Sequence, residues 1–291
     1  MKVTVKANAK LNLTLDVVGK RDDDYHLLES VMQSVSLSDT VTVKTDDSGE
    51  ISVSTSDDSI ADDKTNIAWR AADAFFRATG DKCAGLDIRI KKRIPTGAGM
   101  GGGSADGAAV ILALDEIYNT RLDEDELCDI GEQVGADIPF CLTGGTMLAR
   151  GTGNILSPLP NLEDCWFVIV KPEISISTAA AYRAIDEKGG LRGYLDNEQL
   201  CEEICSHDLE AVGKLLGNVF EQVTDIPEIE AIKKKMISAG AVGACMTGSG
   251  SAVFGLFDNE DDANDCRAQL DDRYDCCYIA EPVSRGCEIE D

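Results

Sequence analysis

Positive charge is scarce in this sequence. Its 291 residues carry 27 lysines and arginines against 53 aspartates and glutamates, a formal net charge of -26. Such a surface repels phosphate backbones and anionic membranes, which disfavours a nucleic-acid partner. Solubility or an acidic proteome accounts for the balance without invoking function. The scarcity also makes the few basic places, Lys10 and the run Lys91-Lys92-Arg93, more informative about an anionic ligand. No stretch approaches the ~20 consecutive apolar residues of a membrane span. The opening MKVTVKANAKLNLTLD lacks the unbroken apolar core of a secretory signal and does not read as one. Eleven cysteines are scattered without a CxxC pair, which fits reduced thiols in a cytoplasmic protein better than a disulfide framework. Cys201, Cys205 and His207 match no zinc spacing and read as small apolar fillers and a solvated imidazole.

What is present begins with alternation. Val3, Val5, Leu11, Leu13, Leu15 and Val17 alternate with polar residues, the period of half-buried strands, and Thr40–Thr45 and Ile51–Thr55 repeat it. The period then changes. Asn66–Thr79 places Ile67, Ala71, Ala74 and Phe75 at helical spacing, with Gly80 where a C-cap glycine belongs. Leu86–Ile94 returns to a strand pattern, and Ala105–Tyr118 reads as a long helix. Between them lie five glycines in the seven positions Gly97–Gly103. Each would cost about 0.5–1 kcal/mol inside a regular element, so this is a loop. Its place before a helix N-terminus turns free N–H groups and the positive end of the dipole toward whatever covers it, and both favour phosphate. Ser104 is placed like the N-cap. Further on, Gly151–Pro160 reads as the crossing between two domains, Trp166–Val170 as a strand, Thr178–Ile185 and Pro227–Ala239 as helices, and TGSGSAVFGLF as a second glycine turn entering a strand.

Gly97–Gly102 formally satisfies GxGxxG. A dinucleotide-binding unit would want an acidic residue about 20 positions on, at the end of a second strand, whereas Asp115 and Glu116 fall inside the helix. A Walker A loop would close on Gly-Lys-Ser/Thr, and Ser104 follows two glycines with no lysine. The HRD and DFG tripeptides of protein kinases are absent.

Pro95–Ala105 (PTGAGMGGGSA) resembles the ATP loop of the GHMP kinases, a family of small-molecule kinases. AKLNLTLDV (Ala9–Val17) and MTGSGSAVFGLF (Met246–Phe257) resemble its first and third motifs, so the likeness spans most of the chain. GKRDDDYHLLESVMQSVSLSD (Gly19–Asp39), GADIPFCL (Gly135–Leu142) and KPEISISTAAAY (Lys171–Tyr182) look like the members that act on a cytidyl-diphosphate-linked methylerythritol. The resemblance implies an α+β, two-domain fold, with an S5-like β/α domain over 1–155 and a ferredoxin-like domain over 156–291. It implies ATP and Mg2+, with a small-molecule substrate in the cleft.

The resemblance also distributes roles. Asp137 would take the proton from the substrate hydroxyl, and Lys10 would steady charge beside it. Pro95, Thr96, Gly97, Ala98, Gly99, Met100, Gly101, Gly102, Gly103, Ser104 and Ala105 would hold ATP, with Asn66 and Lys92 near its adenosine half and Ser104 a candidate magnesium ligand. Tyr25 and Tyr182 would sandwich the cytosine, His26 would hydrogen-bond its edge, and Asn12 would orient the methylerythritol hydroxyls. Read as residues alone, Asp137 is more simply a cap before Pro139 and Lys10 a solvated strand lysine, while core is the lesser alternative for the tyrosines. One departure stands out: Asp22 and Asp24 occupy the places of a proline and a glycine in the family's pattern. This predicts loss of the rigid turn and of its left-handed position.

Overall fold

The computed structural model describes residues 1–188 and 195–290. The opening alternation becomes β1 (Lys2–Asn12) and β2 (Thr14–Lys20), interrupted at Leu13. Next comes β3 (His26–Thr45), a 20-residue strand of which only the last six residues were legible as alternation. It forms the spine of a nine-stranded sheet, pairing with β1, β2, β5 (Leu86–Lys91) and β6 (Thr146–Gly151), while β4 (Ile51–Thr55) pairs with β5.

Helix α1 (Ile67–Thr79) begins where Asn66 accepts a hydrogen bond from the Ala68 N–H, and it ends at Gly80 in the left-handed region. Helix α2 (Gly102–Tyr118) is apolar nearly all round and packs between α1 and β1, so the glycine loop at its head is pinned to the core. Helix α3 (Glu124–Glu132) and the short α4 (Ile138–Thr143) follow, with Phe140 of α4 fully buried. That one side chain stabilises the position of α4 by about 1.5–3 kcal/mol.

The stretch expected to cross between domains is instead a hairpin: β7 (Ile155–Leu159) pairs antiparallel with β6 in the first sheet. A boundary drawn after residue 155 falls within β7, and the chain leaves this sheet only beyond Leu159. The second half runs β8 (Trp166–Val170), α5 (Thr178–Glu187), α6 (Asn197–Ser206), α7 (Leu209–Leu215), β9 (Gly217–Asn218), α8 (Pro227–Ser238), β10 (Gly243–Met246), β11 (Val253–Phe257), α9 (Glu260–Asp271), β12 (Cys277–Ala280) and β13 (Cys287–Glu290). Its antiparallel sheet has the order β10-β11-β8-β12, and with α8 and α9 this is the ferredoxin-like βαββαβ arrangement. The halves interlock, since β13 returns to pair with β1 and β9 pairs with β2. Among the described residues no helix is long and apolar enough to cross a membrane.

Candidate active site

The three glycine- and lysine-bearing segments meet at one point, although Asn12 and Thr247 lie 235 residues apart in sequence. The Lys10 N–H donates to Met100 O at 3.0 Å, and the Ala252 N–H donates to Ala98 O at 3.2 Å. The Thr247 hydroxyl accepts from the Asn12 N–H at 2.9 Å. The two glycine turns touch backbone to backbone: a Cβ on Gly99 would lie 2.3 Å from Thr247 O, and one on Gly248 would lie 2.6 Å from Gly99 O. Both have positive φ, so glycine is required there twice over. Asn218, which the sequence gave no reason to single out, braces the second turn by donating to Met246 O and Gly248 O.

Within the first loop Gly97, Gly99 and Gly101 are left-handed and alternate with Ala98 and Met100, whose side chains are buried. The apolar spacers anchor the loop, and the alternating backbone makes a concave nest of N–H groups of the kind that binds anions. Gly101, not Ser104, is the N-cap of α2 and offers no side chain. The helix begins three residues earlier than its alanine pattern suggested. The N–H groups of Gly102, Gly103 and Ser104 therefore have no acceptor among the described residues.

A cavity of about 300 Å³ lies over this nest, bordered by Pro95–Gly103, Asn66, Ile67, Lys92 and Asp106. Four expected nucleotide contacts, Ala105, Ser104, Asn66 and Lys92, do not turn a free side-chain group into this cavity. Ala105 is fully buried, and the Ser104 hydroxyl faces Gly135 on the segment that carries Asp137. The Asn66 amide caps α1 and donates to Ala61 O at 2.8 Å. Lys92 is committed more deeply: its Nζ donates to Asp39 Oδ2 at 2.5 Å and to Asp106 Oδ2 at 2.6 Å, with both carboxylates buried. Asp39 Oδ1 accepts the N–H groups of Arg93 and Ile94, which fixes the entry to the loop. Burial draws the Lys92 ammonium down, but the two carboxylates outweigh it and hold it above the ordinary lysine range. Burial pushes the Asp106 carboxyl up to about 7.

A second cavity, of about 160 Å³, adjoins the first at Gly99 and Gly101 and is bordered by Lys10, Asn12, Asp137 and Tyr182. Asp137 stands at the N-cap of α4, yet its side chain makes no capping bond, because Pro139 removes one N–H and the residue has helical φ and ψ. The carboxylate is left 39% exposed, its Oδ2 3.9 Å from Lys10 Nζ. Lys10 is no solvated lysine: it is buried and donates to Asn12 Oδ1 at 2.6 Å. That oxygen also accepts from the Gly248 N–H, and Asn12 Nδ2 donates to Ser30 Oγ. Asn12 is thus fully engaged in holding Lys10 and the second turn.

A third cavity, of about 910 Å³, continues from the second past Leu28 and Tyr182. Lys20, Arg21, Arg70 and Arg183 converge on it, a concentration of cations in an acidic protein, and Arg70 and Arg183 have no carboxylate partner among the described residues. The Tyr25–Tyr182 sandwich is not formed here. Tyr182 stacks on His26, with centroids 4.7 Å apart and planes 23° apart, and meets Phe220 edge to face. Tyr25 stands at the rim, 66% exposed. His26 is held across Tyr182 because its Nε2 lies 2.7 Å from Asp186 Oδ1. Burial, and then the nearby Asp137 charge, push the Tyr182 hydroxyl up to about 12. The expected loss of the turn before Tyr25 does not occur. Asp24 itself adopts the left-handed conformation (φ 67°), which aspartate tolerates better than most residues, and it points outward to Lys20.

Comparison with known proteins agrees with this geometry. Residues 66–145 match the family model for the GHMP kinases N terminal domain, and residues 200–276 the one for the GHMP kinases C terminal domain. The chain is 39% identical over 285 residues to the 4-diphosphocytidyl-2-C-methyl-D-erythritol kinase of Alkaliphilus metalliredigens, covering 97% of each protein. A solved 4-(cytidine 5'-diphospho)-2C-methyl-D-erythritol kinase superposes with a TM-score of 0.78 at 32% identity, over 96% of this chain and 98% of that one. The homoserine kinase of Cytophaga hutchinsonii superposes with a TM-score of 0.80 at 19% identity, over 99% and 97% of the two chains, so the backbone alone does not separate substrates.

Proposed function

The chain belongs to the GHMP kinase family, and from that premise we propose how it transfers a phosphoryl group from ATP to the 2-hydroxyl of 4-diphosphocytidyl-2-C-methyl-D-erythritol. The reaction is a step of non-mevalonate isoprenoid precursor synthesis, and the protein is a small-molecule kinase. The single observation that carries the site assignment is the uncapped Asp137 carboxylate facing buried Lys10 beside the glycine nest.

ATP lies in the first cavity with its phosphates on the N–H groups of Gly102, Gly103 and Ser104, where the helix dipole and the unbonded donors both favour negative charge. The methylerythritol occupies the second cavity, its hydroxyl between Asp137 and the nest. Asp137 accepts the proton as the hydroxyl attacks. Lys10, fixed by Asn12, offsets the charge gathering at the transferred group without having to move. Phosphoryl transfer is mainly positioning and charge stabilisation, and both are built from rigid elements here. The diphosphate and cytidine extend into the third cavity, away from ATP, where Arg70 and Arg183 are free to meet the diphosphate. The base lies by the His26–Tyr182 wall, with Tyr25 at the rim to cover it; stacking of this kind contributes about 1–3 kcal/mol per base.

No group of three or more acidic, cysteine or histidine ligands gathers among the described residues. A magnesium ion would be carried mostly by phosphate oxygens, whose charge it would neutralise, with the Ser104 hydroxyl, on the Gly135 side of the nest, a candidate ligand from this chain. All eleven cysteines are free, which supports a cytoplasmic setting. Release of ADP measured in parallel with the cytidyl substrate, mevalonate and homoserine tests the substrate assignment. Turnover is expected with the cytidyl substrate alone, and equal turnover with mevalonate or homoserine would defeat it.

A further inference from the structure

Asp186 has no part in the roles above, yet it organises the wall of the third cavity. Its Oδ1 lies 2.7 Å from His26 Nε2, and its Oδ2 accepts from Lys20 Nζ at 2.9 Å. Lys20 in turn reaches Asp24 at 3.1 Å. Hydrogen bonds from His26 and then Lys20 hold the Asp186 carboxyl below its ordinary range, so the group is an anion that can only accept. The nitrogen facing it must therefore carry the hydrogen. In a neutral imidazole this leaves Nδ1 as a bare acceptor. Nδ1 has no partner among the described residues and is not among the buried atoms lacking one, so it is accessible, and His26 borders the third cavity. A half-turn of the ring about Cβ–Cγ would put Cε1 in place of Nε2 and lose the bond to Asp186, so that bond fixes which edge faces the carboxylate while Tyr182 holds the plane of the ring.

We infer that Asp186, steadied by Lys20, is a specificity-determining positioning residue: it fixes the His26 tautomer so that Nδ1 accepts from the 4-amino group of cytosine and disfavours the carbonyl that uracil carries there. This rests on the placement of the base in the third cavity. Cytosine and uracil differ at that edge by a donor against an acceptor. Where the group facing that edge is an acceptor, it gains a hydrogen bond with the first and sets two lone pairs against each other with the second.

The test compares kcat/KM for the cytidyl substrate with that for its uridyl analogue. In Asp186→Asn the amide can either accept from Nε2 or donate to it, so both tautomers become populated. The cytidyl-over-uridyl preference is expected to fall about tenfold, with the loss in KM rather than kcat. Asp186→Glu, which restores a carboxylate, is expected to recover much of the preference. Nitrogen-15 spectra of histidine-labelled native protein at about pH 8, where imidazole is neutral, supply a readout that needs no variant at position 186. His26, distinguished from His207 by His26→Gln, is expected to show hydrogen on Nε2 and none on Nδ1. A proton on Nδ1 in the native protein, or an unaltered preference in Asp186→Asn, overturns the inference. The two readings fail separately. If His26→Ala leaves KM for the cytidyl substrate unchanged, the placement of the base is wrong and the inference falls with it. If His26→Ala raises that KM while Asp186→Asn leaves the preference intact, the placement stands and only the role of Asp186 is lost.

Discussion

Asp137→Asn lowers kcat with the cytidyl substrate by about 10²–10⁴-fold and leaves the thermal midpoint of unfolding where it was. The expectation follows from an unusual local fact. Asp137 occupies the N-cap of α4 but caps nothing, so an isosteric amide removes no capping bond and only the 3.9 Å charge pairing with Lys10. What it removes besides is the proton acceptor. Lys10 keeps its bond to Asn12 Oδ1, and the glycine nest is held by Met100, Ala98 and Thr247 rather than by Asp137, so KM for ATP is expected to change little. Steady-state kinetics with a melting curve on the same preparation separate the two effects. A variant that turns over within a factor of two of the native protein would remove Asp137 from the proton transfer, and one that melts far lower would make it a structural cap after all.

The second large effect is structural and lies beneath the nucleotide rather than against it. Lys92→Met is expected to destabilise the fold by about 3–5 kcal/mol, a drop in unfolding midpoint on the order of 10 °C. The Lys92 side chain is 7% exposed, and its ammonium bridges two buried carboxylates, Asp39 and Asp106. Without it, at least one must take up a proton, and the burial that already lifts Asp106 to about 7 shows which one does so first. Asp39 would still hold the Arg93 and Ile94 N–H groups. The double variant Lys92→Met with Asp106→Asn should therefore recover part of the loss. A Lys92 that merely touched adenosine would behave oppositely, raising KM for ATP without shifting the midpoint.

These two residues mark how far the sequence could be read. Local rules found α1 with its Gly80 cap, the glycine loop between a strand and a helix, and the second glycine turn before β11, because each depends on neighbours within a few positions. They missed most of β3. There Leu27, Leu28, Val31, Met32, Val35 and Leu37 do not alternate, because much of the strand is buried on both faces and its partners shift register at Asn8–Ala9 and Val17–Gly19. They also misjudged where α2 begins, since Gly102 and Gly103 carry no helical signal even when the backbone is helical. The resemblance pointed to Lys92 and His26 but not to the carboxylates that hold them. Asp39 lies 53 residues from Lys92, and Asp186 lies 160 residues from His26. Such pairings exist only once the sheet and α5 are assembled.

The measurement that tests this account most directly is the structure of the ternary complex with a non-hydrolysable ATP analogue and the cytidyl substrate. The account predicts the acceptor hydroxyl within about 2.6–3.2 Å of the Asp137 carboxylate, the terminal phosphate on the N–H groups of Gly102–Ser104, and the pyrimidine against His26 in the third cavity. A hydroxyl bound away from Asp137 with the triphosphate still on the nest would contradict it.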